Sequence, residues 1–106
     1  MATATFNSDT KVWDGPKVHH EFGFDTSIGA EILKKLAETP EKILYVCHDE
    51  GINLSCKETR VTSIRVAQNL AKLGFKKGDV FGFICRDGIK LPSTLFGSIL
   101  IGAPIN

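Results

Sequence analysis

The residues best suited to metal or redox chemistry in this sequence are Cys47, Cys56 and Cys85, and their spacing argues against both. A zinc site or a redox pair is built from thiolates brought together at short intervals, typically C-x-x-C, and no such pair occurs. The three read as reduced thiols of an intracellular protein. His19 and His20 are adjacent, so in an extended segment they point to opposite sides and do not share a metal. Lys72, Lys76 and Lys77 gather near the end of a helical pattern, where their charges complement the carbonyl end of the helix dipole, an end that repels anions. No G-x-x-x-x-G-K-S/T or G-x-G-x-x-G string is present to cradle phosphates. Arg86, Asp87 and Gly88 occupy the place where an open α/β sheet holds ligands, outside the carboxyl end of a strand. A phosphate nest needs several free amides and usually more glycine, so these three read as a helix cap with surface charge. No catalytic, cofactor-binding or metal-binding residue is assigned.

The elements that would position such residues follow from periodicity and caps. Residues 1–25 show neither a helical nor a strand rhythm and read as an extended arm, the Trp13 to Pro16 step with Gly15 included. Ser27 caps a helix whose apolar face is Ile28, Ile32, Leu33, Leu36 and Ala37, with Glu31 and Lys35 paired on the wet side and Pro40 ending it. An apolar run over 43–47 and an alternating one over 52–54, joined through Gly51, predict a β-hairpin. Ser55 and Glu58 form an S-x-x-E capping box for a long helix with Val61, Ile64, Ala67, Leu70 and Ala71 as its inner face. Gly74 fits the left-handed position beyond its end, with Phe75 closing back on Leu70. Residues 80–85 are apolar at nearly every position, as in a strand buried on both faces of a parallel sheet. A second helix follows. It tolerates Pro92 only in or before its first turn, and Leu95, Phe96, Ile99, Leu100 and Ile101 leave it little polar surface.

Composition narrows the partners. The 106 residues are 42% hydrophobic and 24% charged, as in globular chains, and the formal net charge is +1. No run of Lys or Arg is long enough to follow a phosphate backbone, so nucleic acid is not an expected partner. The first residues lack the apolar core of a signal peptide, and the apolar stretch near the end is too short and too interrupted to span a bilayer.

The predicted strand at 80–85 and the helix after it make a βα pair, and a parallel sheet requires that helix to cross over into another strand. Gly102 stops the helix, and only four residues remain. The reading is therefore an incomplete α/β unit: an arm over 1–25, then the start of a larger domain over 26–106. Its open sheet edge makes self-association an expectation.

The order of helix, hairpin, Ser55-Cys56-Lys57-Glu58, long helix, Leu73-Gly74-Phe75-Lys76-Lys77-Gly78-Asp79-Val80, apolar strand and a helix ending Ile101-Gly102-Ala103 resembles the opening of the adenylate-forming superfamily. The stretches at 12–16 and 24–29 are most similar to insect luciferase-like acyl-CoA synthetases and coumarate:CoA ligases. Where that family usually has Asn then Ser after the apolar strand, this sequence has Asp87 and Gly88, and Asp87 is expected to cap the helix in their place. The resemblance implies an acid:CoA ligase of partial acyl-CoA synthetase fold. With ATP and magnesium it would convert a carboxylic acid to an acyl-adenylate, then pass the acyl group to CoA. The phosphate loop, ribose-binding acid, acyl pocket and C-terminal lysine which that chemistry needs are not in these residues, so the chain alone is expected to be inactive. The alternative is a short non-catalytic product that docks on a full-length relative. Many members of the family are peroxisomal, but the sequence ends Pro104-Ile105-Asn106 without the receptor-read tripeptide, which gives a cytoplasmic location by default.

Overall fold

A computed structural model of the chain describes residues 3–17, 19, 21–103 and 105. The described residues form three helices and two small antiparallel sheets, a mixed α/β arrangement matching the fold class expected from the sequence.

The first sheet lies within the predicted arm. Strands β1 (Thr5–Asn7) and β2 (Val12–Asp14) pair with Phe6 opposite Trp13, their rings 5.1 Å apart. Asn7 makes the turn, its side-chain oxygen accepting from the amides of Asp9 at 3.0 Å and Thr10 at 3.1 Å. Strands of three residues are too short to show a two-residue rhythm, which is why the sequence reads as featureless there.

Helix α1 (Ile28–Glu38) begins at Ser27, whose hydroxyl accepts from the Ala30 amide at 3.4 Å, and stops at Thr39 before Pro40. Leu36 is its buried anchor. The expected pairing of Glu31 with Lys35 does not form. Lys35 instead reaches Glu38 at 3.1 Å, and Lys34 sits 3.9 Å from Glu31. On a helix the i+3 and i+4 neighbours are near-equivalent, so spacing alone leaves the partner open. The hydrogen bond to Glu38, followed by its charge, raises the Lys35 pKa above the usual lysine value.

Strands β3 (Ile43–Cys47) and β4 (Ile52–Ser55) form the expected hairpin, with Gly51 at φ +64 and a register irregularity between Ile43 and Tyr45. Ser55 then opens α2 (Cys56–Lys72) through a complete capping box: its hydroxyl accepts from the Glu58 amide at 3.2 Å, and the Glu58 carboxylate accepts from the Ser55 amide at 2.9 Å. That backbone bond, and then the one from the Ser55 hydroxyl, hold the Glu58 carboxyl below its ordinary value of 4.5. Because the folded pKa lies below the unfolded one, the stabilisation is present above the unfolded value and is lost as pH falls through the folded value. Ser55→Ala is expected to remove about 1 kcal/mol of stability at neutral pH. In Glu58→Gln, the fall in melting temperature on acidification should be shallower than in the parent, measured by circular dichroism between neutral pH and the acid limit.

Helices α2 and α3 (Leu91–Leu100) both end in a Schellman motif. After α2, the Phe75 amide donates to the Leu70 carbonyl and the Gly74 amide to Ala71; after α3, Ala103 donates to Ser98 and Gly102 to Ile99. Gly74 at φ +96 and Gly102 at φ +72 supply the left-handed residue that each motif requires.

The packing of α2 against α3 departs from the expected face. Cys56, Thr59, Ser63 and Leu70 are buried, whereas Val61 and Ala71 are exposed, so the buried stripe is rotated by about a quarter of a turn from the apolar one. The cause lies on the partner helix. Gly97 of α3 sits so close that a Cβ there would meet Val66 Cγ1 at 2.5 Å, and Ser93 and Ser98 are buried alongside it. Small residues on both helices allow close approach. Thr59, Ser63 and Ser98 satisfy their hydroxyls on their own helices, donating to the carbonyls of Ser55, Thr59 and Leu95.

Residues 80–85 form no strand ladder among the described residues. A single parallel bridge joins Phe81 to Ile105, beyond α3, beside a hydrogen bond from the Gly78 amide to the Gly102 carbonyl at 3.1 Å. A β-α-β crossover is thus begun, with one pairing position of it made among the described residues. The turn ahead of this segment is closed by Asp79, whose amide donates to the Lys76 carbonyl and whose carboxylate accepts from the Lys76 amide at 2.9 Å, with Gly78 at φ +91 in third position.

Candidate functional site

The loop between residues 80–85 and α3 is where the topology would place a ligand. It borders a hollow of about 430 Å³ lined by Glu50, Phe83, Cys85, Arg86, Gly88 and Thr94. The hairpin closes one wall: a Cβ on Gly88 would lie 3.0 Å from Glu50 Oε1. Partial burial and then the nearby negative charge of Asp87 push the Tyr45 phenol above its usual pKa, which couples β3 to the same loop.

Asp87 does not cap α3. The cap position is Lys90, in helical conformation and without a side-chain hydrogen bond, while Pro92 falls in the first turn as expected. A turn closed by the Leu91 amide on the Gly88 carbonyl separates Asp87 from the helix start, so its carboxylate is too far back along the chain to serve the first amides. Glu50 and Asp87 balance Arg86 and Lys90 in charge, and Leu91 spends its amide on the turn. This lining does not fit a nucleotide triphosphate with its metal. Among the described residues, no three His, Cys, Asp or Glu side chains gather to hold a metal ion.

Of the residues singled out from the sequence, Cys47 and Cys56 are buried and Cys85 is exposed, all three as free thiols. Cys56 Sγ lies 3.9 Å from Thr39 Oγ1, a weak polar contact within the fold. His19 is exposed, and His20 lies outside the described residues. Lys72 ends α2 and Lys76 and Lys77 form the following turn, at the carbonyl end of the helix. No helix among the described residues is long and apolar enough to cross a membrane.

Sequence reasoning missed a second hollow, also of about 430 Å³, between the 22–26 segment, α1 and α3, lined chiefly by Phe22, Ile28, Ile32, Leu36 and Phe96. Glu31 Oε2 is buried at its edge without a hydrogen bond, with the Lys34 ammonium at 3.9 Å as its ion-pair partner. The only signal in the sequence is aromatic content ahead of Ser27, which periodicity does not register.

No protein-family model matches the sequence. The 4-coumarate--CoA ligase 3 of Arabidopsis thaliana is 30% identical over 71 residues, which are 67% of this chain and 13% of that ligase. Among solved structures, the luciferase-like enzyme from the nonluminescent Zophobas morio mealworm superposes with a TM-score of 0.77 at 24% identity, covering 84% of this chain and 21% of that one. A Mycobacterium tuberculosis fatty acyl CoA synthetase gives a TM-score of 0.66 at 20% identity, over 73% of this chain and 16% of the other. The chain thus spans about a fifth or less of the length of the relatives it matches.

Proposed function

We propose that this chain, whose sequence and structural neighbours are acyl-CoA synthetases, a luciferase-like enzyme and a coumarate:CoA ligase of the adenylate-forming superfamily, is scaffold from an ATP-dependent, AMP-forming acid:CoA ligase. In the proposed reaction a carboxylate attacks the α-phosphate of ATP, forming an acyl-adenylate and releasing pyrophosphate. The CoA thiol then takes the acyl group and AMP leaves. No step is assigned to a side chain of these residues, because the βα loop does not fit ATP and magnesium.

The observation that carries the reading is the superposition at a TM-score of 0.77 over 84% of the chain.

A graft tests it. Replacing the matched segment of the Arabidopsis ligase by the corresponding residues of this chain should leave a folded enzyme that still releases pyrophosphate in the presence of its acid, ATP and magnesium. The 106-residue chain in the same assay should release none. A soluble, folded chimera without activity, or turnover by the isolated chain, would refute the scaffold reading.

A further inference from the structure

We draw no further inference here: the strongest candidate, the apolar hollow between the 22–26 segment, α1 and α3, has Glu31 Oε2 at its edge already ion-paired with the Lys34 ammonium at 3.9 Å, and nothing among the described residues shows what covers it.

Discussion

Gly97→Ala is expected to lower the melting temperature by roughly 10 °C, about 2 kcal/mol, despite alanine's higher helix propensity. The reason is space at the α2–α3 crossing. The added methyl would meet Val66 Cγ1 at 2.5 Å, Val66 Cβ at 2.8 Å and the Ala67 amide nitrogen at 3.2 Å. The first contact is with the Val66 branch and the second and third with atoms fixed to the helix, so the helices must separate and uncover Thr59, Ser63 and Ser98 between them. Gly97→Val should abolish cooperative unfolding. Combining Gly97→Ala with Val66→Ala should recover part of the loss, giving a coupling energy in a double-mutant cycle that two independent substitutions would not show. Thermal melts of the four proteins decide it, and strict additivity would remove the crossing as the cause.

Leu70→Ala carries the other large effect, a loss of about 3 kcal/mol. Leu36 and Leu70, at 5% and 8% exposure, are the two large aliphatic side chains buried in the core among the described residues, beside Cys47, Cys56 and Ala103. A core this small has no surrounding apolar mass to collapse into a vacated site, so most of the cavity penalty should remain. Leu73, three residues on and 76% exposed, provides the contrast: Leu73→Ala should change stability by no more than about 0.5 kcal/mol. Urea titrations at equal protein concentration measure both, and the comparison fails if the two substitutions cost the same.

Much of what was legible in the sequence concerns the loop at Arg86, Asp87 and Gly88 only by analogy of position. The topology does bring those residues to the carboxyl end of an extended segment, as read. What it adds is a wall made by Glu50, a residue of a hairpin far away in sequence, and that wall closes one side of a hollow whose acidic and basic groups balance. The expected cap by Asp87 failed because one more turn, Gly88 to Leu91, intervenes before the helix, and a cap works only within hydrogen-bond reach of the first amides.

By itself the sequence determined the features whose partners lie within about a dozen residues: the Ser27 cap, the Ser55–Glu58 box, the Gly74 and Gly102 helix ends and the hairpin through Gly51. Each is a short-range hydrogen bond or a backbone angle that local chemistry fixes before any packing occurs. Tertiary structure decided which side of α2 is buried, because the partner helix presents Gly97 and serines, and contact area between close helices outweighs the hydrophobicity of Val61 or Ala71. It also decided the state of residues 80–85. Their composition is that of a buried strand, but a strand exists only through its neighbours, and among the described residues a single bridge to Ile105 is formed.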